Sequence, residues 1–136
     1  MKRKYFFVVL FLMLAMFLVG CGSGIVTPAT DEAQVKGFIQ NYASAMNNQD
    51  WNKAKSYCVY NSWAYLVVES YEYLVDYYGF EVFTFKVDKI RDIEIDDNYA
   101  QADIHIVSTL GSWHEDIYLQ KVSGIWKIYN NSYAWY

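Results

Sequence analysis

Histidine and carboxylate side chains exchange protons or bind metal near neutral pH, and this chain gathers several in one short stretch. His105 and His114 are its only two histidines, with Asp103 and Asp116 close by in sequence. On residue type alone, these four suit a metal site. Glu115 lies between Trp113 and Ile117, and a carboxyl held among apolar groups can act as a general base with a raised pKa. Cys58 has Trp51, Tyr57 and Val59 around it in sequence. A reactive thiolate wants a nearby cation or helix N-terminus, so Cys58 reads instead as a small buried apolar residue. The sequence offers no Gly-rich phosphate loop, no nucleophilic Ser or Cys motif and, after Cys21, no basic cluster. Hydrolase, nucleotide and nucleic-acid readings therefore find no support in it. No cofactor is expected.

Aromatic residues make up 20% of the chain, including Trp51, Trp63, Trp113, Trp126 and Trp135. Tyr and Trp join a large apolar face to a polar tip, which suits pockets and interfaces. Tyr60, Tyr65, Tyr71, Tyr73, Tyr77 and Tyr78 crowd one segment, more than a single buried stripe can hold, so some must face a cavity, a partner or solvent. The ligand-binding candidates are Tyr42, Trp63, Tyr71, Trp113 and Glu115.

These side chains need a scaffold, and hydrophobic spacing supplies its outline. Val35, Phe38, Ile39, Tyr42 and Met46 recur at helical spacing behind Asp31 as N-cap, with Gln34 as in a capping box. Asn47-Asn48-Gln49 breaks that helix, and Asp50 caps a short second one over Trp51 to Tyr57. A third runs from Ser62 to Tyr78 with the stripe Trp63, Val67, Tyr71, Leu74, Tyr78, and Gly79 stops it. Beyond Gly79 the period becomes two: Phe83, Phe85 and Val87 alternate with Thr84 and Lys86. Asp96-Asp97-Asn98 is a turn, followed by strands Ala100 to Ser108, Trp113 to Val122 and Trp126 to Tyr129. Helices followed by strands argue an α+β domain, N-terminal helices packed on an antiparallel sheet.

Turns at Gly111-Ser112 and Ser123-Gly124 set a register. Ile106 then faces Ile117, Ile104 faces Leu119, Leu119 faces Ile128 and Lys121 faces Trp126. Ala100, Ala102, Ile104, Ile106, Ile117, Leu119, Trp126 and Ile128 share one face, as a half-buried sheet requires. His105, His114, Asp103 and Asp116 fall on the other. This register separates the imidazoles by roughly 13 Å at about 3.3 Å per residue. Zinc–nitrogen bonds are near 2 Å, so no metal site is expected, and Asp116 becomes a diagonal partner for His105.

The N-terminus carries different information. Lys2, Arg3 and Lys4 precede an apolar run from Tyr5 to Val19, shorter than the roughly 20 residues of a spanning helix and shaped like an export signal. Leu18-Val19-Gly20-Cys21 follows, then Gly22-Ser23-Gly24. This resembles the lipobox of bacterial lipoproteins, which implies cleavage before Cys21 and a diacylglyceryl group on its sulfur. The expected organisation is a signal over 1–20, a lipidated flexible tether over 21–30 and one domain over 31–136. After cleavage, eight basic and fifteen acidic residues remain, a net charge of −7. That charge repels an anionic lipid surface and nucleic acid, so the lipid itself must anchor the domain on the extracytoplasmic side of the membrane.

From Asp31 to Tyr129 the chain resembles the nuclear transport factor 2-like superfamily, cone-shaped α+β domains related to ketosteroid isomerase. The resemblance rests on the helix–break–helix run Phe38-Ile39-Gln40-Asn41-Tyr42-Ala43 to Asn48-Gln49-Asp50-Trp51-Asn52-Lys53-Ala54, and on the helices-then-meander order. A third feature is the closing hairpin, where Gly124, Trp126 and Ile128 match a Gly-x-Trp-x-Ile pattern. It implies a curved sheet wrapped on a long helix with a cavity at the open end. The superfamily includes isomerases, dehydratases, transport adaptors and secretion components, and fold does not choose among them. The catalytic acids and tyrosine of ketosteroid isomerases find no residue-by-residue match here. Three functions are therefore expected in order: a non-enzymatic tethered domain binding a small apolar or aromatic ligand or an envelope protein, an assembly component of an envelope complex, and an isomerase- or dehydratase-like enzyme with Glu115 as base.

Overall fold

Thr30, Asp50 and Ser62 each place a side-chain oxygen at the start of a helix, and those three oxygens mark where the helical half begins and restarts. The computed structural model describes residues 29–79 and 83–133. The residues expected to form an export signal, Cys21 with the expected tether up to residue 28, and Ala134, Trp135 and Tyr136 lie outside the described residues. Helix α1 spans Asp31–Asn47, α2 Trp51–Ser56 and α3 Trp63–Tyr78. The N-cap of α1 is Thr30 rather than Asp31: Thr30 Oγ1 accepts the Ala33 N–H at 3.3 Å. Asp31 instead enters the first turn, where a carboxylate meets the positive end of the helix dipole, and Gln34 reaches back to the Ala29 carbonyl at 2.7 Å. Asp50 caps α2 by accepting from the Lys53 N–H. Gly79 ends α3 at φ +62°, a left-handed conformation that costs glycine little. No helix among the described residues is long and apolar enough to cross a membrane.

The buried stripe of α1 is the expected one, with Val35, Ile39, Tyr42 and Met46 inside. That of α3 is not. Ala64, Val68, Tyr71 and Val75 face the core, while Trp63 and Tyr78 are exposed. The helix is apolar nearly all round, so its largest aromatics suggested the wrong stripe. The small Ala64, fully buried, lets the helix approach its neighbours closely, whereas a tryptophan there would not fit.

Strands β1 (Phe85–Asp96), β2 (Tyr99–Ser108), β3 (Gly111–Val122) and β4 (Ile125–Tyr133) form one antiparallel sheet in chain order. Helices pack against one face of this curved sheet, with α1 over β1 and α3 over β4. The last hairpin has the expected register, with Lys121 opposite Trp126 and Leu119 opposite Ile128. Ser123 and Gly124 both take positive φ, as a tight hairpin turn of this hand demands. The β2–β3 register differs. Ser108 pairs with Gly111, so the turn is Thr109-Leu110, and Ile106 faces Trp113 while Ile104 faces Glu115. Gly111 marks the reversal from the residue after the turn, at φ +135°. The turn moves by two residues and every pair by four, an even number, so the inner face keeps its membership. All eight residues assigned to it are buried.

Two bulges bend β1, between Val87 and Lys89 and between Arg91 and Glu94. A third lies between Tyr118 and Leu119 on the β3–β4 ladder. Each inserts a residue and increases local twist, which is how a four-stranded sheet curls over its helices. The segment after α2 covers part of β4: Val59 N–H donates to the Ile128 carbonyl at 2.8 Å, and Ile128 N–H to the Tyr57 carbonyl at 2.9 Å.

Candidate functional site

Tyr71 connects the core to a surface groove. On its inner side its ring packs 5.7 Å from Phe83 and 5.7 Å from Phe85, and Phe85 lies 6.2 Å from Tyr42. On its outer side Tyr71 joins Trp63, Leu66, Val67 and Leu74 of α3 and Leu110 of the β2–β3 turn around a cavity of about 300 Å³. The corrected register puts Leu110 there, at the tip of the hairpin. Trp63 is 56% exposed, so most of its indole is available to whatever enters. Beyond the groove, the exposed residues Tyr73 and Tyr77 follow Trp63, Leu66 and Ser70 at spacings of three or four. Tyr73 and Tyr77 stack at 5.7 Å. The helix thus carries a second, solvent-facing stripe beside its buried one.

The other candidates sit apart. Tyr42 is a core residue and does not line the groove. Glu115 lies on the inner face of β3 at 4% exposure, the single buried charged residue among the described ones. It pairs with Ile104 on one side and Tyr133 on the other, inside the sheet. The half-buried Trp113 donates its indole N–H to Glu115 Oε2 at 3.1 Å.

The outer face holds a second constellation. His105 and His114 are direct cross-strand partners, with ring centroids 4.8 Å apart rather than the separation that the sequence suggested. His105 Nδ1 lies 2.5 Å from Asp88 Oδ1, and its Nε2 2.7 Å from Ser112 Oγ. His114 Nδ1 lies 3.5 Å from Asp103. Asp116, expected beside His105, pairs across the ladder with Asp103 instead. The hydrogen bond from His105 is the main cause holding the Asp88 carboxyl below its usual range. Among the described residues no group of three or more His, Cys, Asp or Glu could hold a metal ion. Asp88 and Ser112 had no sequence signal as functional residues. A bulge brings the first to His105 and the register brings the second.

No protein-family model matches the sequence, and no curated protein does. Solved structures do match in fold. Bd1075 of Bdellovibrio bacteriovorus is 15% identical with a TM-score of 0.61, over 74% of this chain and 38% of that one. This chain therefore spans well under two thirds of that protein. A protein of unknown function with a cystatin-like fold from Nostoc punctiforme is 9% identical at a TM-score of 0.59, over 77% of this chain and 92% of that one. An NTF-2 like protein of unknown function from Shewanella oneidensis is 10% identical at 0.55, over 75% and 97%. At such identities the likeness is one of fold: this chain has the nuclear transport factor 2-like α+β fold, helices packed on a curved four-stranded antiparallel sheet.

Proposed function

We propose that this domain is tethered to the outer side of a membrane by a lipid on Cys21, and that its α3 surface is a non-enzymatic binding site for a small apolar or aromatic ligand. The observation that carries the reading is the groove of about 300 Å³ lined by Trp63, Leu66, Tyr71 and Leu110, at the lower end of the size range of small-molecule pockets. Its lining is mostly apolar, and a half-exposed indole offers a ligand contact area at low entropic cost. The second stripe of Leu66, Tyr73 and Tyr77 extends the same surface, and it would suit an envelope protein as the alternative occupant. The tether reading rests on the basic start, the short apolar run and the Cys21 flanks.

The test is native mass spectrometry of the full-length protein purified from its own host. A retained small molecule that is lost in Trp63→Ala supports the groove. A wild-type protein that is empty, and that crosslinks in cells to one envelope protein through Tyr73 or Tyr77, would transfer the surface to a protein partner. An intact mass lacking the lipid increment on Cys21 would remove the tether. A second reading, an isomerase-like enzyme with Glu115 as base, is favoured by the burial of that carboxyl. It requires Glu115 to titrate well above the ordinary glutamate value near 4.3, which carbon-detected NMR of the side chain measures directly.

A further inference from the structure

We propose that Ser112, His105 and Asp88 form an acyl-transfer site on the outer face of the sheet, with Ser112 Oγ as nucleophile, His105 as its general base and Asp88 as the residue that positions the imidazole. The site shares no residue with the α3 groove and stands or falls separately from it.

The hydrogen-bond chain is continuous. Ser112 Oγ is 2.7 Å from His105 Nε2, and His105 Nδ1 is 2.5 Å from Asp88 Oδ1. With a carboxylate beside Nδ1, a neutral imidazole satisfies both contacts by donating Nδ1–H to Asp88 and accepting the serine hydroxyl hydrogen at Nε2. That is the tautomer a general base toward serine requires. Exposure divides in the useful way: Ser112 is exposed, whereas the His105 side chain is 20% exposed. The nucleophile can be reached while its base is largely shielded.

Three strands supply the three residues, and two features of the sheet bring them together. Val87 pairs with Ile106 and Lys89 with His105, so Asp88 is the extra residue of a bulge, and bulges re-aim side chains. His105 pairs with His114 and Val107 with Ser112, so Ser112 is a cross-strand diagonal of His105.

The substrate class follows from the neighbours. Lys86, Val107 and Ser112 occupy one rung of the sheet and Lys89 lies opposite His105, which puts Lys86 about 10 Å from Ser112 at two strand spacings. Asp88, Asp103 and Asp116 on the same face offset these cations, so the charge selects no ionic substrate and the class is a simple carboxylic ester. In the first step the Ser112 Oγ–carbon bond forms as the hydroxyl proton passes to His105 Nε2. The bond from carbon to the leaving oxygen breaks, and His105 returns that proton to the departing alcohol. Water then attacks the acyl carbon and gives a proton to His105. Ser112 Oγ leaves, takes that proton back, and a carboxylic acid is released.

The test uses full-length protein in mild detergent with two probes, an alkyl fluorophosphonate and 4-nitrophenyl acetate. The first forms an Oγ–phosphorus bond with loss of fluoride, and peptide mass mapping locates it. The expected result is an adduct on Ser112, absent in Ser112→Ala, whose exposed side chain can be removed with the fold intact as judged by circular dichroism. His105→Gln should slow labelling and ester turnover by about a hundredfold or more, the usual contribution of a general base. In Asp88→Asn labelling should slow, and Asp88→Glu should restore it, because a carboxylate holds the proton on Nδ1 whereas an amide can itself donate to Nδ1 and leave the wrong tautomer. The other titratable groups facing His105 are Lys89 on β1, Asp103 on β2 and His114 on β3. An unchanged rate in Asp88→Asn, or a loss there that Asp88→Glu does not restore, would overturn the role given to Asp88. Labelling of Ser108 or Ser123 as fast as Ser112, no adduct on Ser112, or an unchanged rate in His105→Gln would overturn the site.

Discussion

Cys58 lies just after α2, where the chain turns to run beside β4, and burial pushes its thiol up from 9.0 to about 12. Lys127 pulls the other way but is the smaller cause. Because the folded protein holds this proton more tightly than the unfolded chain, the thiol costs no stability below about pH 8. As pH rises from 9 towards 12, the unfolded chain loses the proton first, and folding is progressively disfavoured. At pH 10 the unfolded thiol is mostly ionised while the folded one is not, which amounts to about 1.4 kcal/mol for these two pKa values. Tyrosines and lysines titrate in the same range, so wild type alone cannot isolate the effect. Cys58→Ala lacks only this group, and urea unfolding of both proteins at pH 7 and pH 10 cancels the rest. The stability difference between them should shift by about 1.4 kcal/mol in favour of the variant on going to pH 10. A difference that does not change with pH would mean that the folded thiol reaches water, and the reasoning from its burial would be refuted.

Asn47 ties the end of α1 to the first strand by accepting the Phe85 N–H at 3.0 Å. Asn47→Ala leaves that partly buried donor unpaired and should cost about 1–2 kcal/mol in thermal or urea unfolding. Lys55 and Glu72 join α2 to α3 at 2.8 Å, with side chains 16% and 33% exposed. A double-mutant cycle should give a coupling of about 1 kcal/mol or less, weakened in 1 M salt as surface ion pairs are.

The parts of this fold that depend on parity were legible, and the parts that depend on counting were not. Period-two alternation assigned the inner face of β2, β3 and β4 correctly even with the wrong turn between β2 and β3, because an even slip preserves faces. The same slip misplaced His105 relative to His114, since a pairwise distance needs the register itself. In the last hairpin, Ser123-Gly124 sits inside the turn and fixed the register. Gly111 sits just outside its turn and misled it. On α3 the cause was different. A helix with apolar residues on most sides gives the 3.6-residue period little contrast, so the buried Ala64, Val68 and Val75 lost out to larger neighbours, and Tyr71 alone belongs to both stripes. Trp63 and Tyr71 could be named as binding candidates from residue type, but that they share a groove with Leu110 follows only from the true position of the hairpin tip.

β1 links the shape of the sheet to the outer-face constellation. Its apolar residues Val87, Ile90, Ile93 and Ile95 all pack against the core, yet the first three are spaced by three, which regular alternation cannot place on one face. Each spacing of three is absorbed by a bulge, with Asp92 at φ +48° in the second. The sequence therefore contains the bulges as a fault in its period, although the fault alone does not say which polar residue is surplus. In the first bulge the surplus residue is Asp88, and the sheet presents it to His105. Had β1 alternated strictly, it would be straighter and would place one residue opposite His105 rather than two. The insertion that bends the strand over the helices is thus also what completes the Ser112–His105–Asp88 chain, so curvature and chemistry on this sheet have a common origin in one extra residue.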